Sequence, residues 1–316
     1  MVFVFVDIQH EKYEEVLQKL RNKKYNISTA NKKLNEIYLN LKGTNEKSTE
    51  FREIQECIRK IRGVKEVKII RRHLEAQNTK LKESLATNNC RFIFDIDSTI
   101  TRGDPGTIHP SIPEIFQKME DKGIWVYIAT GRSLHDLTKI LKEIPVQKSS
   151  IAENGGIILG FGEEGYLEFG KKDEPNKILT YLKKKYKVKE DMKQGERITE
   201  VIFLQKDVPL EMITEAQKAT KASVSVHASK ESHHISKKGI DKGSAILELG
   251  KRLKWGNSFK ISVGDSQLDV PMFEASDYSY APKNGDSYAK ESCSEVLDGT
   301  YEKAIEKLYD LIEKSS

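Results

Sequence analysis

Phe92-Ile93-Phe94-Asp95-Ile96-Asp97-Ser98-Thr99 is an apolar run that ends in two carboxylates separated by one residue. Read as a buried strand, it sends Asp95 and Asp97 off its carboxyl end toward the same side, because side chains alternate along a strand. In an open parallel sheet that edge is where ligands bind. Paired acids there suit a nucleophile, an acid–base partner and a shared metal. The rival reading is a solvated strand end, and the rest of the chain decides between them.

Downstream of Phe92 strands and helices alternate, the pattern of a doubly wound α/β parallel sheet. Ser111-x-x-Glu114, with Pro113 in the first turn, reads as a capping box opening a helix that stops at Gly123. Ile124–Ala129 is then a buried strand, and Ile157–Leu159 with Tyr166–Phe169 a hairpin. Residues 170–237 mix helices and strands without any strand-end acids and read as an inserted α/β cap. That insertion divides the sheet domain into a first part, 90–169, and a second part, 238–316.

Residues 1–70 read as a separate βαββαβ, ferredoxin-like domain. Val2–Val6 is its first strand, and Tyr13, Val16, Leu17 and Leu20 mark one helix face. Phe51, Ile54, Ile58 and Ile61 mark a second face. The ending Ile61-Arg62-Gly63-Val64-Lys65-Glu66-Val67 resembles that of ACT-type domains, which implies a small-molecule effector. Residues 71–89 carry Leu74, Leu81 and Leu85 and suggest a linker helix. A connector packed on its neighbours is preferred to a coiled-coil seam, with a homodimer the open alternative.

The chain has 316 residues, enough for two or three domains, and its 32% charged and 37% hydrophobic content is that of a globular protein. A net charge of +5 with both signs interspersed argues against a nucleic-acid partner. No apolar run reaches the ~18 residues of a membrane span. The 3 cysteines, Cys57, Cys90 and Cys293, form no metal or disulfide pattern. With no leader pattern at Met1, a cytoplasmic location is expected.

Further strand-end motifs follow the first in order. Ile128-Ala129-Thr130-Gly131-Arg132-Ser133 places a hydroxyl and a glycine at a helix start, where backbone amides can meet phosphate. Lys242 opens a helix after Lys238-Gly239-Ile240-Asp241, and Val263-Gly264-Asp265-Ser266-Gln267-Leu268-Asp269 ends a strand in two acids. Singly these are a cap, a surface lysine and a helix-capping Asp. As an ordered set they resemble the haloacid dehalogenase superfamily of phosphohydrolases over about residues 90–316. Ile151-Ala152-Glu153-Asn154-Gly155-Gly156 and the cap exit Ser232-His233-His234-Ile235 are similar to archaeal-type phosphoglycolate phosphatases. Ser98, where the superfamily often has Gly, and the extension 1–90 are departures.

The resemblance implies a magnesium-dependent phosphomonoester hydrolase acting on a small phosphorylated metabolite, 2-phosphoglycolate being the first choice. A carboxylate nucleophile splits a hard step in two, and that role falls to Asp95. Mg²⁺ would be held by Asp95, Asp265 and Asp269, with Asp97 contributing its backbone carbonyl in such families. The Asp97 side chain would serve as acid and base. Thr130, Gly131 and Lys242 would hold the phosphoryl oxygens. Arg197, His227, His233 and His234 are the cap residues that could meet a substrate carboxylate. A sugar phosphate or mannosyl-3-phosphoglycerate is the alternative substrate. A regulatory protein on a phosphatase scaffold is the alternative of another class.

Overall fold

The structure is a computed structural model that describes residues 2–8, 12–22, 27–31, 36–41, 58, 61, 64–69, 71–87, 89–103, 106–188, 196–229 and 231–314. It divides into two compact units, Met1–Lys80 and Leu81–Ser316.

In the first unit β1 (Val2–Ile8) is followed by α1 (Tyr13–Asn22), β2 (Ile27–Asn31), β3 (Glu36–Leu41) and β4 (Val64–Ile69). The strands form one sheet in the order β2-β3-β1-β4, every neighbouring pair antiparallel. Val16, Leu17 and Leu20 of α1 are buried, as the apolar spacing requires. The helix expected around Phe51–Ile61 lies outside the described residues except for Ile58 and Ile61, both buried. The boundary between the units falls inside α2 (Arg71–Ala86). Leu81 and Leu85 on its last turns belong to the hydrophobic core of the second unit.

That core is built on β5 (Cys90–Phe94). Its side chains alternate: Phe92 and Phe94 enter one apolar cluster and Ile93 another on the opposite face. Helices therefore cover both faces. On the Phe92 side lies α3 (Ser111–Asp121), whose Phe116 ring stands 4.9 Å from that of Phe94. The box expected at Ser111 is not made: the helix is capped by Pro110, and Ser111 Oγ instead bonds His109 Nδ1 at 2.8 Å. β6 (Trp125–Ile128) pairs parallel with β5. After α4 (Leu134–Ile140) come β7 (Ile151–Ala152), β8 (Ile157–Leu159) and β9 (Tyr166–Glu168), an antiparallel trio.

The cap follows as α5 (Asp173–Tyr186), β10 (Val201–Leu204), α6 (Leu210–Thr220), β11 (Val224–Ala228) and β12 (Ser232–Lys237). Its antiparallel sheet runs β10-β12-β11 and has its own core of Ile178, Leu182, Val201, Phe203 and Ile235. The chain then returns through α7 (Lys242–Arg252), β13 (Phe259–Val263), α8 (Val270–Glu274), β14 (Tyr278–Ala281), α9 (Ser287–Ser292), β15 (Glu295–Val296) and α10 (Glu302–Glu313). β13 inserts beside β5, giving the parallel order β15-β14-β13-β5-β6. Among the described residues no helix is long and apolar enough to cross a membrane, and Cys90 and Cys293 are free and buried.

Two glycines set the distances that matter for the site. A Cβ on Gly243 would lie 2.1 Å from the Pro271 carbonyl oxygen, so its absence lets α7 close onto α8. Gly155, at φ +104°, brings the loop after β7 equally close to the Asp241 carbonyl at the start of α7.

Candidate active site

The adjacent strands β5 and β13 end level with one another, Phe94 beside Val263, and each releases its acids at the same edge. Asp95 and Asp265 are both buried there. The Thr99 hydroxyl reaches Asp265 Oδ1 at 3.2 Å and Asp95 Oδ2 at 3.4 Å. From the first turn of α7, capped by the Asp241 and Ser244 side chains, Lys242 sends Nζ to Asp95 Oδ1 and Asp269 Oδ1, each at 2.6 Å. The other Asp269 oxygen accepts from the backbone N–H groups of Asp265 and Ser266 and from Ser266 Oγ. Asp269 thus aims the lysine and shapes the loop that carries Asp265.

Charge balance in this cluster is uneven. Burial pushes the Asp95 carboxyl up to about 7, Lys242 pulling it down and Asp269 and Asp97 adding to the rise. Burial alone would lower the Lys242 ammonium, but Asp269 and Asp95 outweigh it and hold the group above its ordinary value. Ligand oxygens of Asp95, Asp265 and Asp269 lie within 4.8 Å of one another. Three buried carboxylates around one ammonium leave an excess of negative charge and hard oxygen donors, which fits a small divalent cation.

Asp97 points elsewhere. The chain turns at Ser98, whose φ is +59°, and the Asp97 carboxylate is held by a fork from Arg132, with Nε at 2.9 Å and Nη2 at 2.5 Å. The same Nη2 also donates to the Gly106 carbonyl. Sequence reading placed Arg132 in a motif and missed this role. The turn itself is pinned by Asn284, which donates to the Ser98 carbonyl at 2.7 Å and accepts from the Tyr301 N–H. Arg102 and the buried Glu302 form an ion pair that ties the same loop to α10.

Thr130 is wholly buried after β6, its hydroxyl accepting from the Arg132 N–H, while Gly131 and Arg132 line the cavity. That cavity, about 650 Å³, lies between the sheet edge and the cap. Asp95, Asp97 and Asp265 form its floor, and Arg197, Ile202, Leu204, Ser232 and His234 its cap side. Of the four cap residues expected near substrate, Arg197 and His234 therefore reach it; His227 and His233 are not in its lining. Behind them sits Glu200, fully buried and unforeseen from the sequence. The loop after β7 also grips the cap, because Glu153 accepts from the backbone N–H groups of Ile198 and Thr199 and from the Thr199 hydroxyl.

Comparison with known proteins agrees with this geometry. The chain is 29% identical over 226 residues to a phosphoglycolate phosphatase of Nitrosopumilus maritimus, covering 70% of this chain and 96% of that protein. A phosphoglycolate phosphatase of Methanopyrus kandleri is 29% identical over 211 residues, 65% of this chain and 89% of its own. A crystal structure from Thermoplasma acidophilum superposes with a TM-score of 0.62 at 23% identity, covering 71% of this chain and 98% of that one. A solved sugar phosphatase of the same superfamily superposes at 0.55 with 15% identity, covering 71% and 98%. The sequence profile of the haloacid dehalogenase-like hydrolases matches residues 92–186 and 162–308, the stretch that supplies every group at the cavity floor. By that match and by the convergence of its motifs on one sheet edge, this chain belongs to the haloacid dehalogenase-like hydrolase family.

Proposed function

We propose that the protein is a magnesium-dependent phosphomonoester hydrolase of the cytoplasm with Asp95 as nucleophile. The observation that carries this reading is the Lys242 ammonium shared at 2.6 Å by Asp95 and Asp269, directly beneath a cavity whose floor Asp95 forms. Asp95 attacks phosphorus, the bond to the leaving oxygen breaks, and an aspartyl-phosphate forms. Asp97 gives a proton to the departing alkoxide and takes one from the water that then attacks phosphorus and frees Asp95. In the structure Arg132 holds Asp97 at the cavity floor, so delivering the proton requires Asp97 to loosen that fork. Lys242 faces the transferring oxygens as a fixed positive charge, with the Gly131 turn behind them. Asp95, Asp265 and Asp269, with the Asp97 backbone carbonyl, would hold Mg²⁺, which would neutralise the phosphate dianion as it meets a carboxylate.

The similarity to phosphoglycolate phosphatases over most of their length supports 2-phosphoglycolate as substrate. A second reading, a sugar phosphate, is favoured by the size of the cavity, about 650 Å³, and by the sugar phosphatase of like fold. Phosphate release from a panel of both ester types, with Mg²⁺ and with excess chelator, tests the proposal. Turnover is expected only with the metal, to be lost in chelator and regained on adding Mg²⁺, and Asp265→Ala should need far more Mg²⁺ for its residual activity. Full activity in chelator would remove the metal from the reading.

For the first unit we propose a role in small-molecule sensing or self-association, a homodimer among the outcomes. Because Leu81 and Leu85 belong to the second core, a truncated protein should begin no later than Lys80. Such a protein is expected to stay folded and to keep the turnover of the full chain, with any change confined to oligomer size in gel filtration or to effector response. An insoluble or inactive product would place residues 1–79 within the catalytic fold.

A further inference from the structure

We propose that His234, oriented by the buried Glu200, is the cap residue that binds a carboxylate on the substrate, and so selects phosphorylated acids over neutral phosphate esters. The inference rests on the phosphatase reading above, which supplies the seat for the phosphate at the other end of the cavity.

Glu200 lies just before β10 and has no exposed surface. A carboxylate can be ionised in such a place only if cations and donors surround it. One oxygen accepts from Arg197 Nη1 at 2.6 Å, and the other from Asn154 Nδ2 at 3.1 Å and His234 Nδ1 at 3.3 Å. Burial would raise its pKa, but His234 and Arg197 draw the group down to about 2. Glu200 is therefore a fixed negative charge behind the cap sheet.

Its presence decides what His234 offers. His234 Nδ1 is engaged inside the cap, 3.3 Å from Glu200 Oε2 and 3.1 Å from Asn154 Nδ2, so Nε2 is the ring nitrogen left for the cavity that His234 lines. The register of the cap sheet explains why His234 reaches it and His233 does not. Ile202 opposes His234 and Leu204 opposes Ser232, and all four line the cavity. His233 opposes Phe203 on the other face, toward the cap core. His227 opposes His234 across the β11–β12 pair but stays outside the lining.

Arg197 is anchored in the same way. Its Nη1 also donates to the Gly131 carbonyl at 2.5 Å, which joins the cap cluster to the turn after β6. The charged and titratable groups around His234 are thus Glu200 and Arg197, with His227 and His233 beside it and Asp241 beyond His227. Arg197 already balances the Glu200 charge, so a substrate carboxyl meeting Nε2 would add its proton to the ring and pair with it as an imidazolium steadied at Nδ1 by Glu200. Ile202 and Leu204 line the cavity beside the ring, with Ser232 and Glu231 further along the same wall. A carboxylate entering from the phosphate end forms that pair; a neutral hydroxyl does not.

The test uses full-length protein carrying Asp95→Asn, which holds substrate without turning it over, in Mg²⁺. Calorimetric binding of 2-phosphoglycolate is compared with that of 2-hydroxyethyl phosphate, an ester of similar size without the carboxylate. The single variant is expected to prefer phosphoglycolate by about tenfold or more, the worth of one charged hydrogen bond. Adding His234→Gln or His234→Asn should erase the preference while leaving the hydroxyethyl ester bound as before. Glu200→Gln, acting through His234, should reduce the preference without touching that ester. Equal binding of the two esters by the single variant, or a preference that survives both His234 changes, would overturn the proposal. Hydrolysis of p-nitrophenyl phosphate by the wild type reads the phosphatase chemistry separately, so equal binding of the two esters by the single variant, with that hydrolysis intact, defeats this inference alone.

Discussion

Asp95→Asn is expected to cut kcat by about a thousandfold or more while the protein stays folded. The amide is close to the carboxylate in size and can still accept from Lys242, which keeps its second partner, Asp269, at 2.6 Å. What disappears is the charged oxygen that attacks phosphorus, and the neighbouring carboxylates are already engaged, Asp265 by the Thr99 hydroxyl. Asp97 is held by Arg132, and Asp269 has both oxygens engaged by the lysine and the Asp265 loop. Steady-state phosphate release alongside a thermal melt checks both halves of the statement. Residual activity above about a tenth of wild type would mean that Asp95 is not the nucleophile, since removing a covalent step costs orders of magnitude.

Lys242→Ala is expected to do the greatest damage to stability. The ammonium is buried between Asp95 and Asp269, and deleting it leaves two carboxylates facing one another with no cation. Breaking a buried pair by removing one partner costs about 3–5 kcal/mol. The midpoint of urea unfolding in metal-free buffer should fall accordingly, and added Mg²⁺ should recover part of the loss by returning positive charge to the acids. Turnover should also fall by about a hundredfold or more, because a fixed charge facing the transferring oxygens is gone. A midpoint shift worth less than about 1 kcal/mol would mean that water already reaches the acids and screens them.

The strand-end residues were legible because their chemistry sits beside the pattern that positions it. An apolar run that stops at Asp95, another that stops at Asp265 and a helix opened at Lys242 each announce where a side chain will emerge. Residues whose role depends on a partner far along the chain were not legible. Nothing near Arg132 says that Asp97 will turn off the strand axis at Ser98 and come into its reach. Nothing near Glu200 says that it will be buried, since its burial comes from docking the cap onto the Asn154 loop. The third cap strand, Ser232–Lys237, is polar enough to read as a loop, yet pairing on both edges makes it the centre of its sheet. The short strands Tyr278–Ala281 and Glu295–Val296 likewise carry no long apolar run that would announce them. At Ser111 a local motif was present, but His109 competed for the hydroxyl and the helix began at a proline instead.

The placement of the cap between the two halves of the sheet has a consequence for how the protein is made. Lys242 follows Asp95 by 147 residues, roughly 7 to 30 s of synthesis at ~5–20 residues per second. During that interval β5 has β6 on one side and a bare edge on the other, because its second neighbour, β13, has not yet emerged. The strands of the cap pair only with each other and precede Lys242, so they can leave the ribosome and fold while that edge waits. The nascent chain thus has a roof before it has a floor, and the acid that will attack phosphate spends its first seconds without the ammonium that steadies it.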